Sequence, residues 1–102
     1  MTNPQYMLRG GYANTQKFEQ YVVDKIASAG NDEVRTLHVV GVQVGMMNRD
    51  YPTFIDYDIA MKRIVTDNQT KRLQSVEGYV VDTGQMVIIS VTGPVTELTL
   101  VN

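Results

Sequence analysis

The sequence contains no cysteine and no tryptophan among its 102 residues, and His38 is its single histidine. The absence of cysteine excludes disulfides, thiolate catalysis, iron–sulfur clusters and cysteine-based zinc sites. A zinc site built on histidines would lack companions for His38. These gaps predict a protein that uses no metal ion and no other cofactor.

The chain also lacks a concentrated positive charge and a long apolar run. Lys and Arg number 9 against 11 Asp and Glu, and the densest basic pairs are Lys62-Arg63 and Lys71-Arg72. Because nucleic-acid binding needs a concentrated basic footprint, no nucleic-acid partner is expected. No apolar stretch is long enough to cross a bilayer, which predicts no membrane insertion. If Met1 is the native start, the lack of a signal-like segment predicts a cytoplasmic protein.

What the sequence does contain is sufficient for one small core. Hydrophobic residues make up 43% and charged residues 20%, as in an ordinary globular protein. The length predicts a single domain over residues 1–102. Residues 1–13 form its lead-in, which is either loose or contributes a short edge strand from Gln5 to Leu8.

One amphipathic helix is predicted after Asn14, a residue type that favours the N-cap position. Gly30 is placed to end it. Apolar residues recur between these points at the three- and four-residue spacing of a helix face: Phe18, Tyr21, Val22, Ile26 and Ala29.

Four long strands joined by short turns are predicted after the helix, with a short fifth one at the end. They run over 34–46, 54–66, 73–81, 85–92 and 95–101. The triplet Asp82-Thr83-Gly84 is a tight hairpin signal. Short connections favour antiparallel neighbours, and the helix is the element available to cover one face of the sheet. The predicted fold is therefore α+β, with one N-terminal helix packed on a curved, four- to five-stranded antiparallel sheet. This layout resembles the cystatin-like architecture, which nuclear-transport-factor-like domains share.

Two strands carry ionisable residues that could take part in chemistry. Asp56 and Asp58 could bind a cation or act as acid and base. Their alternation with Ile55, Tyr57 and Ile59 instead places both on a solvated outer face. His38 is expected to be a half-buried strand histidine, because no relay partner lies near it in sequence.

The stretch between the first two long strands is the predicted binding site. Methionine suits irregular contacts, and exposed apolar patches mark interfaces. The alternative is that these residues close one end of the core. The candidate binding residues are Met46, Met47, Arg49, Tyr51 and Phe54.

Two segments, "GGYANTQKFEQYVVDKIASAGNDEVR" and "FIDYDIAMKRIVTDNQTKR", resemble a family of small, uncharacterised lipoproteins of Gram-positive bacteria. The likeness lies in the Gly-x-x-x-Asn lead-in, the Lys-Phe-Glu-Gln helix start, the Asp-Glu-Val-Arg strand entry and the Tyr-Asp strand. It covers roughly half of the chain, which departs from the family in having no lipid-carrying cysteine. The resemblance implies a domain on the cell envelope, outside the cytoplasmic membrane, and implies no catalytic residues.

The sequence therefore favours a non-catalytic domain that binds a protein partner or a small ligand, with a homodimer as a further expectation. One alternative is a small-molecule enzyme of the nuclear-transport-factor-like type, in which His38, Arg63 and Glu77 would line a cavity between helix and sheet. The other is a cystatin-like protease inhibitor, since "VVGVQVG" loosely resembles the central hairpin motif of such inhibitors.

Overall fold

The computed structural model describes residues 5–28, 35–43, 54–91 and 95–101. After the first strand, a short 3₁₀ turn at Gly10–Ala13 leads into the helix. The helix and strands, in chain order, are β1 (Gln5–Leu8), α1 (Thr15–Ser28), β2 (Thr36–Gln43), β3 (Phe54–Thr66), β4 (Leu73–Val80), β5 (Met86–Ser90) and β6 (Glu97–Leu100).

The six strands are antiparallel and close into a barrel in the order β1-β2-β3-β4-β5-β6, with β6 pairing back to β1. Tyr6 in β1 shows the closure, since it lies opposite Gln43 of β2 on one side and Leu98 of β6 on the other. Each strand therefore has a hydrogen-bonded neighbour on both sides. A closed barrel of this kind has no unpaired sheet edge.

The prediction of an open, curved, cystatin-like sheet of four to five strands is wrong. The described residues contain one helix and antiparallel strands, as expected, but these strands number six and form a closed barrel. The physical reason is β1: the Gln5–Leu8 segment was expected to be loose or to lie at an edge, and it instead bridges β2 and β6. A ring of strands leaves no open concave face for a helix to cover.

Helix α1 begins where the sequence predicts. The Asn14 side-chain oxygen accepts hydrogen bonds from the backbone N–H groups of Gln16 and Lys17, at 3.0 and 3.1 Å, which satisfies two free donors of the first turn. Phe18 and Val22 of the predicted stripe are buried. Tyr21 and Ile26 pack against the core, while Ala29 and Gly30 lie outside the described residues.

The helix lies across one end of the barrel and completes the backbone hydrogen bonds there. The Glu19 carboxylate accepts the N–H of Leu73, the first residue of β4, at 2.7 Å. The Tyr21 hydroxyl accepts the N–H of His38 in β2 at 2.9 Å. Each bond gives a partner from α1 to a backbone donor of a strand. The largest fully buried apolar side chains of the core that α1 and the strands share are Leu8, Phe18, Val22, Leu37, Val39, Ile59, Val76, Val87, Ile89 and Leu98.

Part-way along β3, a register shift changes which residues point into the barrel. Alternation predicts that Met61 and Val65 share a face with Ile55, and that Arg63 interrupts that face. A register shift between Met61 and Arg63 instead turns Arg63 to the outer face opposite Glu77, and Ile64 then lies opposite the buried Val76. The extra residue of such a bulge reverses the alternation beyond it.

The partner strand comes very close to β3 beside this bulge. A Cβ atom placed on Gly78 would lie 2.2 Å from the backbone oxygen of Ala60, so no side chain fits there. At the far end of β4, the predicted hairpin at Asp82-Thr83-Gly84 is confirmed. The N–H of Gly84 donates to the Val80 carbonyl, and Gly84 adopts a φ of 78°.

Candidate functional site

The predicted binding hairpin falls mainly outside the part of the chain that the structure describes. Met46, Met47, Arg49 and Tyr51 lie in residues 44–53, so the structure does not test their assignment. Phe54 is the first residue of β3, and 57% of its surface is exposed. The end of the predicted site that can be placed is thus an aromatic ring in solvent.

Phe54 belongs to an apolar patch on the outer surface of β1, β2 and β3. It lies opposite Val42 of β2, which in turn lies opposite Met7 of β1. Directly opposed side chains share a face of the sheet, and so do alternate residues of one strand, which adds the exposed Val40. We call Met7, Val40, Val42 and Phe54 the outer patch. The alternation of β2 buries Leu37 and Val39 and leaves Val40 outside.

An ionic cluster adjoins the outer patch on the same face. His38 of β2 lies opposite Asp58 of β3, and Val40 lies opposite Asp56. The Nδ1 atom of His38 lies 2.8 Å from Asp58 Oδ1, and its Nε2 atom lies 3.0 Å from Asp56 Oδ1. The outer-face placement predicted for both aspartates is confirmed. His38 is not half-buried as expected, because the pairing of β2 with β3 turns it outward, and 59% of its side chain is exposed.

The two carboxylates change the protonation of His38. The hydrogen bond with Asp58, aided by the negative charges of Asp56 and Asp58, raises the pKa of His38 above its ordinary value. Protonation therefore turns the ring into a cation held between two anions. The two ring nitrogens point to different carboxylates, so the three side chains do not converge on one point. Within the described residues, no cluster of His, Asp and Glu side chains could hold a metal ion.

The residues proposed for the enzyme alternative all lie on the outer surface. Arg63 and Glu77 form an ion pair at 3.5 Å across β3 and β4, and the Arg63 side chain is exposed. His38 also faces solvent. The cavity between helix and sheet that this alternative requires is therefore not lined by these three side chains. For the inhibitor alternative, residues 39–43 of "VVGVQVG" lie within β2, while residues 44–45 fall outside the described part of the chain.

A second polar arrangement joins α1 to the connection between β3 and β4. The Nε atom of Arg72 donates to both carboxylate oxygens of Glu19, at 2.9 and 3.1 Å, and Arg72 Nη2 lies 2.9 Å from Glu19 Oε1. The bond from Arg72, together with the bond from the Leu73 N–H, lowers the pKa of Glu19. Sequence reasoning noted the basic pair Lys71-Arg72 but missed its partner, because 53 residues separate Glu19 from Arg72.

Two depressions flank this ion pair. One has a volume of about 300 Å³ and a polar wall that includes Thr15, Asp67, Thr70 and Gln74. The other has a volume of about 290 Å³, and Lys71 lies on its border. Five apolar residues form the wall of the second depression, which we call the apolar groove: Val22, Val23, Ile26, Ile64 and Leu73.

Comparisons of the chain with protein-family models, with curated proteins and with solved structures find no match. The resemblance to Gram-positive lipoproteins, and the cell-envelope location that it implies, therefore stay predictions. Among the described residues, no helix has both the length and the apolarity needed to cross a membrane.

Proposed function

We propose that this protein is a non-catalytic binding domain that recognises a protein partner through the outer patch. The observation that carries the proposal is the exposure of Phe54, whose ring stands on a sheet face beside Val40 and Val42. Exposed aromatic and aliphatic side chains in one patch are typical of interaction surfaces, where an aromatic anchor often supplies much of the affinity.

The charges beside the outer patch indicate the chemistry of the partner. Asp56 and Asp58 carry two negative charges, and a protonated His38 offsets one of them. The cluster therefore stays negative on either side of the His38 transition. Charges at the edge of an interface favour partners that carry the opposite charge at the facing positions. The partner we propose presents an apolar side chain to Phe54 and a lysine or arginine to the two aspartates.

The segment next to the outer patch extends the proposal. Met46, Met47, Arg49 and Tyr51 stand between β2 and β3 in sequence, directly before Phe54. We keep them as candidate binding residues on the strength of their composition. If the lipoprotein resemblance holds, the partner is a protein of the cell envelope.

The proposal is tested with a displayed library of random peptides selected against the wild-type protein. Selected peptides should pair apolar residues with lysine or arginine. Phe54→Ser should weaken their binding roughly tenfold to a hundredfold, because burying a phenylalanine contributes about 1.5–3 kcal/mol. Met86→Ser is the control, since Met86 is an exposed apolar residue on β5, outside the outer patch. If Phe54→Ser binds the selected peptides as tightly as wild type, the outer patch is not the binding surface.

Two further measurements test whether the neighbouring segment contributes and whether the partner is a second copy of the chain. Changing Met46 and Met47 together to Ser should also weaken peptide binding if the neighbouring segment contributes. Sedimentation equilibrium shows whether a second copy of the chain occupies the surface. Self-association that disappears in Phe54→Ser would assign the outer patch to a homodimer instead of a different protein.

A further inference from the structure

The apolar groove is a second surface, separate from the outer patch, where α1 meets the connection between β3 and β4. Val22 and Leu73 are buried at its base, while Ile26 and Ile64 are partly buried. Half of the surface of Val23 is exposed on α1, although valine is apolar. The groove thus offers apolar side chains that the fold leaves accessible to a ligand.

The charge at the border of the groove is positive. Glu19 and Arg72 offset each other in their ion pair. Lys71 has no ion-pair partner within the described residues, as the salt bridges found there involve other cations. The carboxylate of the same turn, Asp67, accepts from the N–H groups of Gln69 and Thr70 and lines the other depression, so the uncompensated charge on the apolar groove is that of Lys71.

The turn that carries Lys71 is held in a fixed conformation. Its backbone N–H donates to the Asp67 carbonyl at 2.8 Å, and the Asp67 side chain accepts from the N–H groups of Gln69 and Thr70. Lys71 itself has a φ of 62°, in the left-handed region that residues other than glycine rarely adopt. Such a conformation persists when the surrounding contacts enforce it, so the start of the lysine side chain is fixed before any ligand arrives.

We infer that the apolar groove binds a small amphiphilic carboxylate, with its alkyl chain against Val23, Ile26 and Ile64 and its carboxylate at Lys71. The volume of about 290 Å³ suits a ligand at the small end of the usual range. A monoanion matches the single uncompensated charge. A neutral hydrocarbon would leave Lys71 without a partner, and a cationic amphiphile would be repelled.

The test uses hexanoate, octanoate and decanoate as free monomers, followed by calorimetry and by the methyl NMR signals of Ile, Leu and Val. Each added methylene should lower the Kd about fourfold until the groove is filled, because burial stabilises each group by a similar amount. Shifts should centre on Val23, Ile26 and Ile64. Octyltrimethylammonium should bind at least tenfold more weakly than octanoate.

Two variants with matched controls assign the two halves of the ligand. Lys71→Gln should remove the preference for octanoate over octyltrimethylammonium, while Lys62→Gln, at an exposed lysine that does not line the groove, should keep it. Val23→Ser should weaken octanoate binding several-fold. Val81→Ser should leave it unchanged, because Val81 lies outside the groove although it is 48% exposed against 50% for Val23.

Three results would overturn the inference. If the Kd does not depend on the length of the alkyl chain, the alkyl chain does not bind in the apolar groove. If Lys71→Gln still prefers octanoate to octyltrimethylammonium as strongly as wild type does, Lys71 does not bind the carboxylate. Binding to phosphatidylglycerol vesicles but not to monomeric octanoate would assign the surface to a lipid bilayer and not to a free ligand.

Discussion

The raised pKa of His38 is a property of one side chain that can be measured directly. Its ring lies between Asp58 and Asp56, and the hydrogen bond with Asp58 is the largest cause of its raised pKa. We expect an NMR titration to give His38 a pKa above the usual value of about 6.5. Asp58→Asn should lower that pKa more than Asp56→Asn does. Equal pKa values in the wild type and in both variants would contradict the geometry.

The same shift links the protonation of His38 to folding. Because the folded state holds the proton more tightly than the unfolded state, this stabilisation is complete below the unfolded pKa and is lost as pH rises through the raised folded pKa. As pH rises from about 6.5, the ordinary pKa of histidine, the free energy of unfolding of the wild type should therefore fall relative to that of His38→Gln. Urea unfolding of both proteins at increasing pH measures the difference.

Residue-scale reasoning from the sequence was correct for the first half of β3, before the bulge. The alternation of β3 placed Asp56 and Asp58 on the outer face, and the structure confirms it. The position of His38 between them was out of reach, because it depends on which residue of β2 lies opposite which residue of β3. The alternation of one strand shows which residues face the core, but which residues of the two strands lie opposite each other also depends on the connection between them.

The ion pair of Glu19 with Arg72 fastens α1 to the start of β4, and it is best tested at the scale of the element. Glu19→Gln should lower the free energy of unfolding at neutral pH by about 1 kcal/mol, since it weakens charge-assisted bonds whose arginine end is exposed. Glu77→Gln, in the exposed pair with Arg63, should change it by less than about 0.5 kcal/mol. Urea unfolding of the two variants makes the comparison.

The pH dependence of this pair has the opposite sign to that of His38. The pKa of Glu19 is lowered in the folded state, so its stabilisation is present above the unfolded pKa and is lost as pH falls through the folded pKa. The difference between wild type and Glu19→Gln should therefore narrow on acidification. A difference that stays constant down to about pH 2 would show that Glu19 acts without its charge.

The elements themselves could be read well from the sequence. Asn14 caps the helix as predicted, and the predicted strand at 54–66 coincides with β3. The bulge in β3 was missed, although it reverses the alternation beyond it, because one residue out of phase can equally be a polar side chain at the rim of an apolar face. Arg63 looked like an interruption of the apolar face for this reason.

At the scale of the whole molecule, closure of the barrel could not be predicted. Each strand shows which residues are apolar, but nothing in that pattern shows whether the first and last strands meet. Four residues of β1 decide the matter by pairing with both β2 and β6. Of the five residues predicted for the binding site, the structure places Phe54, and the other four lie outside the described part of the chain.

The role of β1 can be tested by removing residues 1–8. The shortened chain would leave β2 and β6 with unpaired edges, and it would lose the buried side chains of Tyr6 and Leu8. We expect it to unfold or to self-associate, because the two side chains together contribute about 3–6 kcal/mol of the modest stability of a small domain. Circular dichroism and light scattering after gel filtration measure both outcomes.

A chain without residues 1–4 is the control, since it keeps β1 entire. It should match the full chain in melting temperature and in oligomeric state. If the protein without residues 1–8 instead stays monomeric and unfolds cooperatively, the pairing of β1 is not needed to hold the other five strands together.

The pairing of Gln5 with Thr99 sets the two ends of the described chain beside each other. A short linker across that gap, with a new opening at the tight turn near Gly84, would give a circular permutant that retains all six strand pairings. For the same reason, we expect this barrel to tolerate insertion into a surface loop of a host protein, because Gln5 and Thr99 lie side by side. We therefore expect the same ring of strands to form when the chain begins at a different strand.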